Sequence, residues 1–405
     1  MPAVVFVAPF FLETTLRFLK ATALLPGVRL GLISQDPVSR LPESIRSRLT
    51  AVEVLPDALD PEMIAGAVRR LAGSLGPIHR LIGALEQLQV PLGQVRDLLD
   101  IDGMKAPAAR KFRDKALMKE TLQAAGVPCA RHVLAGSREQ IREFLERTGY
   151  PVVVKPIDGA GGKDTHRVED SDGLERALAV TEPTPERPVL MEEFVQGQEH
   201  SFDCVSIHGR QVWHSLSHYY PGPLEVMENP WIQWCVMIPR EVDDARYDDI
   251  RQVASQALDA LGVGTALSHM EWFRRQDGSI AVSEVGARPP GAQFTTLISY
   301  ANEIDLYGAW AELMVYDRFR PPERKFAAGA AYLRGQGEGP IRRILGLDRI
   351  REEIGELVVE ARLPEPGSRR SGSYEGDGYI ILRHPSSKVV RQALGRVVET
   401  VRLEC

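Results

Sequence analysis

Along the first hundred positions, short apolar runs alternate with stretches of helical periodicity. Residues 3–8, 29–34, 51–55 and 80–85 are near-continuous apolar runs, the pattern of strands buried on both faces. Residues 13–24 and 61–75 instead repeat apolar positions at helical spacing, and the alternation predicts a parallel sheet with helices on its faces. One helical segment, "APAARKFRDKALMKETLQAAG", then runs to Gly126, a C-cap residue. A strand near 129–134, a helix at 138–147, a strand "PVVVK" and another at "THRVED" follow. Past Asp203 the chain turns β-rich and aromatic, with a helix at 243–261, a hairpin at 268–291 and two helices over 294–316. "RPPERK" at 320–325 reads as a boundary. Beyond it come strands in "AAGAAYLR" and "GYIILRH", a Gly/Ser/Arg-rich turn at 367–375 and a helix at 387–400. The expected fold class is α/β, with α+β character in the middle. The expected units are 1–100, 101–320 (a small lobe about 125–195, a larger one about 196–320) and a β-rich 321–405.

Composition narrows the setting. A chain of 405 residues is too long for one small core, and 44% hydrophobic with 26% charged residues is ordinary for a globular protein. A formal net charge of -6 argues against a nucleic-acid surface. No apolar run approaches the ~20 residues of a membrane helix, and the start lacks signal-peptide features. Cysteines at 129, 204, 235 and 405 are scattered without a CxxC pair, so neither a zinc site nor a disulfide framework is expected, and a cytoplasmic location is.

The hairpin "SHMEWFRRQDGSIAVSEVGARPPG" poses a charge problem. With Asp277-Gly278 as a two-residue turn, Gln276 faces Ser279 and Glu271 lies opposite Glu284. Facing Cβ atoms are ~5 Å apart, where two carboxylates repel by roughly 3 kcal/mol at an effective dielectric near 20. A positive partner is expected between them.

Three further segments carry candidate chemistry. "PVVVKPIDGAGGKD" sets Lys155 at a strand end before Gly159, Gly161, Gly162 and Lys163, a loop whose backbone N–H groups suit phosphate oxygens. It is not a Walker A loop, and an ordinary glycine-rich hairpin is an even alternative on these residues alone. In "RDKALMK", Lys115 shares a helix face with Lys111 and Lys119, which read as a solvated basic stripe. "VLMEEFVQGQEHSFD" is a strand, a connector and a second strand. Its backbone suits a base edge and a carboxylate beyond it suits ribose hydroxyls, although Glu192, Glu193 and Glu199 read equally as exposed strand residues.

In order, "RDKALMKETLQAAGVP", "VVVKPIDGAGGKD", "LMEEFVQGQEHSFD" and "HMEWF…SEVGARPPG" resemble the ATP-grasp superfamily of carboxylate–amine ligases, over about 83–317. The flanks resemble its Rossmann-like first domain and small β-rich last domain. The resemblance implies ATP and Mg2+ (with Mn2+ as an alternative ion). Lys115 and Lys155 would hold phosphates under the 158–163 cover. Glu193 and Val195 would meet adenine with Glu192 near its amino group, and Glu199 the ribose. Glu271 and Glu284 would bind magnesium, and Arg288 would face the transferred phosphoryl group. Gly286 stands where many members place a metal-binding asparagine, and in the hairpin register it faces His269.

That family's chemistry implies small-molecule carboxylate and amine substrates, joined through an acyl-phosphate with release of ADP and phosphate. "HSLSHYYPGPLEVMENPWIQW" offers His218, Tyr219 and Trp234 as a substrate wall or, equally, an oligomer contact, and Glu86 borders the cavity or is a surface residue. "VAPFFLETT" lacks the glycine-rich first loop of purine-pathway members, which favours amino-acid or dipeptide-type ligation. A purine-type carboxylation or formyl transfer, and a non-catalytic ATP-binding protein, are the alternatives. A homodimer is an analogy from the family.

Overall fold

A computed structural model of the chain describes residues 1–155, 165–229 and 231–405. The opening runs form β1 (Ala3–Val7), β2 (Arg29–Ser34), β3 (Leu49–Val54) and β4 (Ile78–Ile82), all parallel in the order β3-β2-β1-β4. Every residue of β1 is buried, as a strand covered on both faces requires. β3 and β4 begin two residues before their apolar runs, because Thr50 and His79 take exposed positions of the pleat. Asp60 caps the helix Pro61–Leu75 by accepting from the Met63 N–H at 2.8 Å.

The single helical segment expected before Gly126 is two helices, Ala106–Arg113 and Lys115–Ala124. Asp114 breaks it: its extended backbone and its carboxylate, accepting from Ala116 and Leu117 N–H at 3.0 Å, make it the N-cap of the second helix. Lys111 and Lys119 therefore sit on different helices and form no common stripe.

β5 (His132–Ala135), β6 (Val152–Lys155), β7 (His166–Val168) and β8 (Val189–Glu193) form an antiparallel sheet in the order β5-β8-β6-β7. β6 and β7 are the stem of a hairpin, and the expected phosphate loop with Gly159, Gly161, Gly162 and Lys163 lies outside the described residues.

The largest sheet has eight strands. They are β9 (Gly197–Ile207), β10 (Arg210–Tyr220), β11 (Trp234–Ile238), β12 (Ala266–Arg275), β13 (Ile280–Gly286), β14 (Ala327–Leu333), β17 (Val358–Arg362) and β18 (Gly378–His384), ordered β13-β12-β9-β10-β11-β14-β18-β17. The sheet continues across 320–325, since β14 pairs with β11 through Trp234 and Tyr332. β15 (Gly335–Gln336), β16 (Arg343–Leu345) and β19 (Arg402–Glu404) form a small separate sheet. One apolar cluster joins Phe6 and Phe18 of the first region to Trp234, Phe294 and Trp310, and on to Tyr332 and Tyr379. Large side chains buried this fully contribute roughly 1.5–3 kcal/mol each, enough to fix the first sheet against the largest one.

The β12–β13 hairpin departs from the two-residue turn. Arg275 N–H bonds to Ser279 O at 2.8 Å, so the loop is Gln276-Asp277-Gly278, with Gly278 at φ +85° supplying the left-handed turn residue. Gln276 does not face Ser279. A bulge at Ser283 then restores the count, and Glu271 still lies opposite Glu284. Two one-residue offsets cancel.

Candidate active site

A cavity of about 450 Å3 opens where the loops following β1 and β4 meet the four-stranded and eight-stranded sheets. Open parallel sheets present ligands beyond the carboxyl ends of their strands, and this cavity follows that rule. Glu86 enters it from the turn after β4, Lys115 from its helix N-terminus, Lys155 and Glu192 from β6 and β8, and Glu271, Glu284 and Arg288 from the hairpin.

Charges at one end are paired. Lys155 Nζ lies 2.9 Å and Lys119 Nζ 3.2 Å from the same Glu192 oxygen. Lys119 is fully buried and also donates to Ser283 O at 3.1 Å, the carbonyl at the bulge. Expected on the surface, it is instead a strut between β8 and the hairpin. Lys111 is half-buried, with its ammonium 3.4 Å from Ala260 O. Burial pushes the Glu192 carboxyl up, but Lys119 and Lys155 outweigh it and hold it below the usual carboxylate range. Burial pulls the Lys119 ammonium down despite Glu192.

Glu271 and Glu284 face each other as expected, each with a protein cation nearby. Lys115 Nζ is 3.3 Å from Glu284, and His269 Nε2 is 3.8 Å from Glu271. Burial opposes charge on His269, but fully buried Asp203 at 2.8 Å, and then Glu271, raise it to about 9. An opposite pair near 4 Å gains about 4 kcal/mol at an effective dielectric of 20, comparable to the glutamates' repulsion. Asp203 and His269 carried no motif of their own; the only signal was that His269 faces Gly286 across the hairpin.

A magnesium ion fits this donor set. Among the described residues no group of three His, Cys, Asp or Glu side chains could hold a metal by itself. Two facing carboxylates, each about a third exposed (32%) and lining the cavity, leave the remaining positions to phosphate oxygens and water, which is the coordination Mg2+ favours.

Arg288 pairs through Nε with Glu86 and donates from Nη1 to its neighbour's carbonyl, Pro289 O, at 3.1 Å. Burial works against its charge, while Glu86 and then Glu284 favour it. A Cβ at Gly286 would meet Glu86 Oε2 at 3.6 Å and Arg288 Cγ at 3.7 Å, ordinary contacts. Packing therefore does not demand glycine there; the space beyond it belongs to the Glu86–Arg288 pair.

An apolar slot of Ala130, Val153, Val195 and Phe273 lines the cavity beside Glu192, Glu193 and Glu199. The Val195 N–H has no hydrogen-bond partner among the described residues. The Glu193 N–H is taken by Arg131 O at 2.9 Å, and its carboxylate is clamped between Arg131 at 2.8 Å and Arg275 at 2.5 Å. Burial and nearby Glu271 hold the Glu199 carboxyl well above its usual range.

At the other end stand Tyr219 and Trp234, both nearly fully buried and both lining the cavity. His218 does not line it. Successive residues of a strand face opposite ways, so Tyr219 on the cavity side sends His218 to the other face of β10. There its Nδ1 is 2.9 Å from His200 Nδ1 and its Nε2 2.9 Å from the Tyr247 hydroxyl. Burial lowers His218 to about 4 and His200 to about 3. Tyr374 and Glu375, from the turn before β18, and Thr15, after β1, also line the cavity; the sequence marked them only as turn and helix residues.

Known proteins resemble this chain in sequence and fold. The ATP-grasp domain model matches residues 120–302. The L-arginine-specific L-amino acid ligase of Bacillus subtilis is 23% identical over 247 residues, 60% of this chain and 59% of that protein, so the match spans less than two thirds of the relative. The L-amino acid ligase of Bacillus licheniformis shares the fold over 100% of this chain and 98% of its own, with a TM-score of 0.78 and 19% identity. Phosphoribosylglycinamide synthetase of Anaerococcus prevotii does so over 99% of each chain, with a TM-score of 0.71 and 16% identity. No described helix is long and apolar enough to cross a membrane. Lys155, Glu192, Glu271, Glu284 and Arg288 all lie inside the stretch that matches the ATP-grasp domain, and the chain as a whole shares the fold of ATP-grasp-type ligases.

Proposed function

We infer that the protein joins a carboxylate to an amine at the expense of ATP, releasing ADP and phosphate. The observation carrying this is the convergence on one cavity of facing Glu271 and Glu284, the lysines Lys115 and Lys155, and Arg288. A carboxylate oxygen attacks the γ-phosphorus, the bond to the bridging oxygen breaks, and ADP leaves. The amine nitrogen then attacks the acyl carbon, loses a proton, and phosphate departs with its oxygen.

Lys115 and Lys155 orient the phosphates, and Glu192 and the Val195 N–H meet the adenine edge while the apolar slot takes its faces. Glu199 accepts from the ribose. Arg288 offers a planar fork of donors where negative charge develops on the transferred phosphoryl group. Glu271 and Glu284 would hold Mg2+, which neutralises charge on the phosphates. The Asp158–Lys163 segment is proposed as the phosphate cover on sequence alone.

The carboxylation or formyl-transfer alternative needs an anchor for a ribonucleotide phosphate near the first loop. The cavity there is lined by Leu12, Thr14, Thr15 and Phe18, none of them cationic, which favours amino-acid-type substrates. Incubation with Mg·ATP and an amino-acid pool, against bicarbonate or formate with ribonucleotide amines, tests this. New amide masses with ADP formation in the first arm are expected. AMP formation, or turnover only in the second arm, would overturn it, and ATP binding without turnover in either would mark a non-catalytic protein.

A further inference from the structure

The end of the cavity away from the paired lysines is an aromatic enclosure with one carboxylate left over. Trp234 stacks on Tyr332 with ring centroids 4.8 Å apart, and meets Tyr374 edge-on at 4.8 Å and Tyr219 at 5.5 Å. Glu375 borders this box and lines the cavity. The other cavity carboxylates are spoken for. Glu86 pairs with Arg288, Glu192 with two lysines, Glu193 with two arginines, Glu284 with Lys115 and Glu271 with His269, and Glu199 is proposed for ribose. Glu375 has no ion pair or hydrogen bond among the described residues. Burial raises its carboxyl.

Two more cavity-lining groups, Trp234 Nε1 and Thr15 Oγ1, are buried without a hydrogen-bond partner among the described residues. Buried polar atoms rarely go unpaired, so orphans that line a cavity are groups a ligand can complete. The part-exposed Tyr374 ring beside a half-buried, unpaired carboxylate makes a receptor for an organic cation, since ring face and carboxylate attract the same charge, while buried Trp234, stacked on Tyr332, backs it. A neutral or acidic substrate group would leave Glu375 desolvated without compensation.

We propose that this part of the cavity holds the cationic side chain of an amino-acid substrate, an ammonium or guanidinium group, with Glu375 as its counter-ion and Tyr374, backed by Trp234, as its wall. This rests on the ligase function proposed above and names its substrate class. Tyr374 lies within electrostatic reach of both Glu375 and Arg288, so one amino acid can span from the cation site to the reacting carboxylate.

The test has two readouts on the full-length protein. Calorimetric titration compares arginine with citrulline and lysine with norleucine, in the presence of magnesium and ADP; initial rates of ADP release compare the same pairs with ATP. The cationic member is expected to win by at least ~10-fold, the selectivity that a charge-assisted hydrogen bond supplies. Glu375→Gln is expected to abolish the preference, Glu375→Asp to keep most of it, and Glu375→Lys to turn it toward glutamate. Thermal unfolding of each variant verifies that it is folded. Equal binding of arginine and citrulline by the unaltered protein, or a preference that survives Glu375→Gln, would overturn the proposal. If no amino-acid pair releases ADP, the ligase function fails, while the titrations still decide whether a cation site exists.

Discussion

At the lysine end, Lys119 and Lys155 converge on one Glu192 oxygen, and Lys115 and His269 each flank a hairpin glutamate. At the aromatic end, Trp234 Nε1 and the Glu375 carboxylate have no protein partner among the described residues. The first end is internally compensated, so it holds its geometry before any ligand arrives, as a site for charge neutralisation must. The second leaves its polar groups for a substrate to satisfy. Chemistry is built into one end and selectivity into the other. Substitutions at the two ends should therefore fail in different ways.

The largest effect is expected at the hairpin. Glu284→Gln should lower ADP release by ~10^3-fold, the usual scale for removing one electrostatic stabiliser of a phosphoryl transfer, with the fold retained. A loss under tenfold would detach the hairpin from catalysis. Next comes Lys119→Met, which leaves Glu192 buried with one cation and cuts the strut to Ser283 O. Removing one partner of a buried ionic cluster should cost about 3 kcal/mol in urea unfolding. A cost below about 1 kcal/mol would show that the lysine end is not held by its own charges.

Acid should also act away from both ends. His200 and His218 protonate at about 3 and about 4 when folded, against about 6.5 unfolded. The unfolded chain thus binds protons first, and stability falls as pH drops from about 6.5 toward about 3, by about 1 kcal/mol per histidine at pH 5.5. The double variant His200→Gln, His218→Gln should flatten that slope; an unchanged slope would place the acid sensitivity elsewhere. The smallest effect is reserved for Trp234→Phe. It keeps a ring but removes an N–H with no partner among the described residues, so substrate KM should rise a few-fold for the lost hydrogen bond, beside a stability loss of about 1 kcal/mol for the smaller buried ring. A drop in stability without a change in KM would make Nε1 structural.

The same contrast explains what the sequence revealed. Element type was legible wherever apolar periodicity was strong, as in β1 or the helix Pro61–Leu75. The Glu271–Glu284 pairing was legible although the loop length was not, because the Ser283 bulge compensated a turn one residue longer than expected. Lys119 was hidden by the Asp114 break: on one continuous helix it aligned with Lys111 as a surface stripe, and on two it turns into the core. His218 was misplaced because adjacent strand residues cannot share one wall. Tyr374 and Glu375 carried no signal, since a turn some 90 residues past the hairpin reaches the cavity only because β14 and β18 extend the central sheet. The chain also matches the ATP-grasp model over 120–302, which stops short of them.

The central claim is that the carboxylate is activated by direct phosphoryl transfer in this cavity. Supplying a carboxylate substrate with both oxygens labelled as 18O, with unlabelled ATP and an amine, tests it in one turnover. The account predicts ADP together with inorganic phosphate carrying one 18O atom, handed over when the amide forms. Unlabelled phosphate, or label appearing in AMP, would contradict it.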